Sequence, residues 1–303
     1  MQQRRTLNDW VLLLALVAMW GSTFMFNKLG VATVPPATLV AVRIAVGLLT
    51  LLALLYLKGL TLPPPGPIWG TYTVMALLGN AVPFWFITWG QQVVESALAG
   101  ITMSIMPLAT LVLAHFFVRG ERLTSRRAVG FALGFGGVVL LFDPVALAGI
   151  GGSGEIVYQL AVLMGALCYG ANSVLARLLV VSDFLVAATG TLLVATVVAV
   201  PIAVVVDASW EAAPSWGSIA SILWIGVGPT GIATILYYRL ISSAGPTFMS
   251  LVNYLSPAVA ILLGVALLGE DLGVNAYAGL ALILSGLAIS QWRRTALAKS
   301  TSA

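Results

Sequence analysis

Residues 184–206 read FLVAATGTLLVATVVAVPIAVVV, 23 positions without a charged side chain. A helix crossing a hydrocarbon core about 30 Å thick needs about 20 mainly apolar residues. A β-barrel strand would be about ten residues of strict alternation. This run is continuously apolar and too long for a strand, so it predicts a membrane-spanning helix.

Nine further runs share that character, at 9–27, 36–57, 68–91, 96–118, 127–142, 157–176, 216–238, 246–268 and 274–292. The run at 127–142 is short, and its helix is expected to begin within the preceding basic loop. Of the 303 residues, 60% are hydrophobic and 8% charged, where a soluble domain carries about 25% charged residues. Lipid must therefore solvate much of the surface. The chain reads as an all-α polytopic membrane protein with ten transmembrane helices. Its start, basic and then apolar, has the outline of a signal peptide. No small-residue cleavage site follows, so it is read as a retained first helix. Cys168, the single cysteine, falls inside a span and is read as a packing residue.

With ten spans, both termini share a side. Placing them in the cytoplasm puts twelve Lys and Arg residues in internal segments, among them Arg119, Arg122, Arg126 and Arg127, and leaves Lys28 outside. The positive-inside rule selects that orientation. The net charge of +4 is thus a topology signal, and no nucleic-acid partner is implied.

An internal repeat organises the spans. Pro107 is followed by Glu121, Gly130 and Gly137; Pro257 is followed by Glu270, Gly279 and Gly286. From each glutamate the spacings are nine and then seven. Trp20, Gly21 and Lys28 match Tyr169, Gly170 and Arg177 at a constant offset of 149. Two halves follow, 1–145 and 146–303, each a five-helix repeat. Five is odd, so the second repeat inserts inverted. Inverted repeats are a transporter architecture, with a site near the midplane between the two halves.

Helical positions three, four and seven apart share a face. Helix 1 aligns Trp20, Thr23 and Asn27; helix 6 aligns Tyr169, Asn172 and Ala176. Helix 3 offers Asn80, Phe84 and Thr88, and helix 8 offers Thr230, Thr234 and Tyr237 or Tyr238. Helix 4 aligns Gly100, Met103 and Pro107; helix 9 aligns Ser250, Asn253 and Pro257. These faces are expected to converge on a central cavity. Its candidate substrate-binding residues are Trp20, Thr23, Asn80, Phe84, Met103, Tyr169, Asn172, Tyr237 and Asn253. Amides and hydroxyls would bind a polar head while rings pack its side chain. Pro83, Pro107, Pro229 and Pro257 fall near mid-span and are candidate hinges. Arg43 lies about 10 Å below the outer end of helix 2, within snorkelling reach, and is assigned a structural or gate-side role. Trp69, Trp210, Trp216 and Trp292 read as interface anchors, and His115 as interfacial.

The motif set resembles the EamA-type branch of the drug/metabolite transporter superfamily over essentially the whole chain. The carrying residues are Trp20-Gly21-Ser22-Thr23 through Asn27-Lys28, Pro35-Pro36 followed by Arg43, and the duplicated proline–glutamate–glycine pattern. Within that branch the sequence looks closest to bacterial amino-acid exporters of the YddG kind. The resemblance implies ten helices in two inverted repeats, a metabolite substrate and a multi-pass location in a bacterial inner membrane. Helix 7 departs from helix 2: Thr189 or Gly190 stands where Arg43 would have its mate.

What is missing narrows the chemistry. No Asp or Glu falls mid-span, whereas proton-coupled carriers keep an ionisable carboxylate inside. With no acid for cations and no central Lys or Arg for phosphates, the expected substrate is a zwitterion or neutral metabolite. The reading is therefore a facilitated exporter of hydrophobic or aromatic amino acids. It needs no cofactor or metal, a monomer suffices, and its only other partner is lipid. The alternatives are a proton-coupled drug or metabolite exporter, and a membrane receptor or structural protein. An enzyme would need a base, a metal site or a nucleophile pair, and one histidine and one cysteine do not provide one.

Overall fold

The computed structural model describes residues 6–118, 121, 124–142, 155–178, 183–207 and 213–291. Arg4, Arg5, Arg119, Arg122, Arg293, Arg294 and Lys299, on which the orientation reading leans, lie outside them, as do Trp210 and Trp292.

Ten long helices follow one another. They are α1 (Leu7–Val31), α2 (Pro36–Leu57), α3 (Ile68–Gly90), α4 (Ser96–Phe117) and α5 (Ser125–Leu141). Then come α6 (Glu155–Leu178), α7 (Phe184–Val206), α8 (Trp216–Ala244), α9 (Leu251–Leu268) and α10 (Val274–Gln291). Nine are at least 18 residues long and apolar enough to span; α5 has 17 residues. The expected short span does begin inside the basic loop, at Ser125.

The helix starts follow capping rules. Thr6 and Asp9 form a capping box on α1, Pro36 opens α2, and the Asp183 and Ser215 side chains cap α7 and α8. The span expected at 246–268 is divided: one turn, Pro246–Met249, precedes α9. Gly245 supplies the left-handed φ of 81° that ends α8 before it.

Two spans widen in the middle. α3 passes through a π-helical segment at Leu77–Ala81, just before Pro83. α8 does the same at Gly226–Ile232, around Pro229. Proline has no N–H for the usual ladder, and one wide turn absorbs the loss. α4 tightens into a 3₁₀ turn at Met103–Ile105 before Pro107. Pro257 differs from the expectation, because α9 runs through it unbroken.

The surface is that of a lipid-facing protein. Leu49, Val197, Leu262 and Leu267 stand 64 to 65% exposed, while Asn27, Thr88 and Gln91 are fully buried.

The two halves interleave. α1 packs on α8 and α9, while its repeat-mate α6 packs on α3 and α4. α2 pairs with α7 and α5 with α10, each with its own counterpart. The duplicated glycines explain the last pair. A Cβ on Gly137 would meet the Gly279 carbonyl at 2.6 Å, and one on Gly279 would meet the Gly137 carbonyl at 2.8 Å. Gly130 and Gly286 oppose each other in the same manner. The first glycine of each repeat thus faces the second of the other, an antiparallel seam only glycine permits.

Gly137→Leu or Gly279→Leu should destabilise the detergent-solubilised protein by about 1–3 kcal/mol. Gly136, which faces open space, is the control: Gly136→Leu should leave the Tm in place. Equal effects at 136 and 137 would contradict the seam.

Candidate functional site: a polar and aromatic cluster between the repeats

The site is built around the π segment of α8. Thr230 sits on it, buried, and its hydroxyl donates to the Ile225 carbonyl at 2.8 Å. That reach back of five residues fits the wide turn. The same oxygen accepts from the Arg43 Nε at 3.0 Å. The Arg43 guanidinium lies 3.7 Å over the Phe84 ring, a cation–π contact. Phe84 meets Tyr169 edge to face at 6.3 Å. One turn thus joins α2, α3, α6 and α8.

A second arm comes from α1. The Trp20 indole donates to the Pro229 carbonyl at 3.2 Å. Its ring lies 5.7 Å from Tyr237, which packs on Tyr238. Near Phe84, the Asn172 amide packs against Gly79, where a Cβ would come within 2.7 Å of its Nδ2. Asn172 Oδ1 is buried with no donor among the described residues.

Of the nine residues singled out in the sequence, contacts join Trp20 with Tyr237 and Phe84 with Tyr169, and Asn172 lies against Gly79. Asn80 is half-buried in the α3 π segment. The Thr23 hydroxyl returns to its own helix, donating to the Met19 carbonyl. Met103 packs on the apolar cluster of α4, α5 and α10. The half-buried Asn253 makes no side-chain hydrogen bond among the described residues.

Two expectations change. Asn27 shares the helical face of Trp20, yet it lines no cavity. It is 0% exposed, donates to Gln91 Oε1 at 2.9 Å and accepts from the Thr88 hydroxyl at 3.1 Å. Arg43 does not snorkel. It is 6% exposed and held inward by Thr230 and Phe84. The expectation of no central cation therefore fails: depth along α2 was readable, but not the acceptor on α8 that turns the side chain inward.

The buried amides belong to a lock at the end of the bundle away from the termini. Gln91 closes it by donating to the Phe24 carbonyl at 3.0 Å. Lys28 donates to the Val93 and Val94 carbonyls, at 3.1 and 3.0 Å. Glu270, from the α9–α10 loop, accepts from the Ser96 and Ala97 N–H groups at 2.6 and 2.8 Å, capping α4. The lock has no repeat-mate at the other end among the described residues: the counterpart of Asn27 is Ala176, which is exposed. Sequence reasoning missed Gln91, although it lies three positions after Thr88 on the same face.

Nearby Glu95 titrates above the ordinary carboxylate range. Burial is the main cause, the Glu270 charge adds to it, and Lys28 opposes it.

Ten long helices, nine of them able to span, in two interleaved halves with a polar and aromatic cluster midway along them, define a membrane transporter of the inverted-repeat class. The EamA-like transporter family matches the chain twice, at residues 9–143 and 157–291. The chain belongs to that family. Similar proteins include the uncharacterized inner membrane transporter YedA of Escherichia coli K12, 29% identical, covering 90% of this chain and 87% of YedA. The uncharacterized transporter YoaV of Bacillus subtilis is 23% identical over 91% of this chain and 94% of its own length. A solved crystal structure superposes with a TM-score of 0.66 at 22% identity, covering 93% of this chain and 96% of that one, a likeness of fold. YedA and YoaV are named as transporters without a substrate, so the comparisons reach the family and stop short of amino-acid exporters.

Gln91→Ala should remove the acceptor of the Asn27 amide nitrogen and the side-chain donor to the Phe24 carbonyl. The expected cost is about 1–3 kcal/mol, read as a lower Tm; an unchanged Tm would contradict the lock. Glu95→Gln tests the raised carboxyl. A raised folded-state value means that stability is present below the ordinary carboxylate value and is lost as pH rises through the raised one. The variant should therefore match the wild type near pH 4 and exceed it at pH 7. A variant less stable at pH 7 would reverse the sign.

Proposed function

We propose that the chain exports small metabolites, with hydrophobic and aromatic amino acids as the substrate class, by alternating access. The observation that carries the reading is the one-sided lock. Asn27, Thr88, Gln91 and Lys28 tie α1 to the end of α3 and the turn after it, at the end away from the termini, and among the described residues no equivalent ties α6 to α8. Two interleaved copies that differ in this way fit a carrier caught closed on one side. Opening the lock while the α6–α8 end closes would expose the cluster to the other compartment.

The substrate class is supported by the rings of Trp20, Phe84, Tyr169 and Tyr237 around a few polar groups. Transport is facilitated, because no carboxylate falls mid-span to carry a proton. The protein lies in a bacterial inner membrane with cytoplasmic termini and works as a monomer. The hinges are the widened turns beside Pro83 and at Pro229, the 3₁₀ turn at Pro107, and the start of α9 before Pro257.

Counterflow into proteoliposomes, across a panel of amino acids with and without a pH gradient, tests this. Phenylalanine or leucine should show saturable counterflow that ignores the gradient. Trp20→Ala should lower it at least about tenfold, as loss of a large ring from a binding site does. Saturable uptake of sugar phosphates with none of amino acids would sink the reading.

A further inference from the structure

Resting on the transport reading above, the geometry points to Arg43 as the group that recognises the substrate's carboxylate. Its environment is an unfinished ion pair. Nε is committed to Thr230 at 3.0 Å, and one face is covered by the Phe84 ring at 3.7 Å. The two terminal amino groups take no protein acceptor among the described residues, and neither is among the polar atoms sealed from solvent. Among those residues the one guanidinium–carboxylate pair is Arg127 with Glu121, at a helix end. Arg43 has no acidic neighbour in its span: α2 carries no Asp or Glu.

A guanidinium is a planar fork of five donors. With Nε taken, the edge between the terminal amino groups remains, and two parallel N–H bonds from that edge match a carboxylate. A hydroxyl and a ring hold the cation in place without neutralising it, and an unpaired charge inside a membrane protein is costly. An anionic guest supplies the missing charge. The guest's remainder lies beside the Phe84–Tyr169 pair, which suits an aryl or branched alkyl group.

The second repeat adds direction. Whichever offset is used, the α7 positions matching Arg43 fall within residues 189–192, and none of them is basic. Thr189 returns its hydroxyl to the Leu185 carbonyl, and the Tyr72 ring fills the space beside Gly190. The pseudo-symmetric scaffold therefore holds one carboxylate anchor, and the substrate binds in one orientation.

The test measures binding of L-phenylalanine, 3-phenylpropionate and L-phenylalaninamide to the purified full-length protein by calorimetry. The two carboxylates should bind and the amide should bind roughly 10- to 100-fold more weakly. Arg43→Gln should erase the difference. Arg43→Lys keeps the charge but not the fork, so a smaller preference should persist; Thr230→Val should weaken both acids. These two variants carry the test if Arg43→Gln does not fold. An amide that binds as well as the acids, acids that do not bind, or a folded Arg43→Gln that keeps the preference would each overturn the assignment. Counterflow separates the two readings. Acids that bind without being moved would leave Arg43 assigned and sink the amino-acid transport reading. Counterflow of L-phenylalanine with the amide bound as tightly as the acids would do the reverse.

Discussion

Inside a bilayer, a polar atom that finds no partner in the protein finds none at all. Most hydroxyls here meet that constraint locally. Thr23, Thr50, Thr102, Thr110, Ser173, Thr189 and Thr234 each donate to the carbonyl one turn back on their own helix. Bonds of this kind do not by themselves single out a site. The informative bonds cross between helices. Trp20 to Pro229 and Arg43 to Thr230 join the repeats, while Asn27 to Gln91 closes one end. Function concentrates where local satisfaction fails.

The same constraint explains why the repeats differ. Backbone packing is symmetric: α5 against α10 through paired glycines, α2 against α7, and α1 and α6 each inserted in the opposite half. A glycine seam in which each carbonyl lies against the opposing glycine leaves little room to slide. The polar side chains break the symmetry. An amide ring with a lysine stands at one end and an exposed alanine at its mate; a buried arginine stands in α2 and a glycine filled by a tyrosine ring in α7. A symmetric frame with asymmetric chemistry can have two states of unequal stability.

Much of the frame is legible in the sequence. Ten apolar runs give the spans, two of them to the residue, at 36–57 and 184–206. The nine-then-seven spacing from each glutamate announces the glycine seam, because close approach demands glycine on both partners. The glutamate itself was readable as a repeat mark but not as the cap on α4, which depends on a loop arriving from 174 positions away. The site was legible as faces, not as partners. Asn27 and Asn172 look alike by periodicity. One is fully buried with two partners, and the other keeps an oxygen without a donor. Helical spacing tells which residues share a face and is silent on what lies opposite. Pro83, Pro229 and Pro257 teach the same lesson: the first two accompany wide turns, while the last sits in a continuous helix.

The central claim is that the Asn27–Gln91 contact must open and close during each transport cycle. In a Cys168→Ser background, Asn27→Cys and Gln91→Cys replace the amide pair that now meets at 2.9 Å with two shorter side chains that a short, reducible bis-methanethiosulfonate reagent can bridge. Phenylalanine counterflow should stop when the pair is cross-linked and return on reduction. Counterflow that continues with the cross-link intact would contradict alternating access through this end.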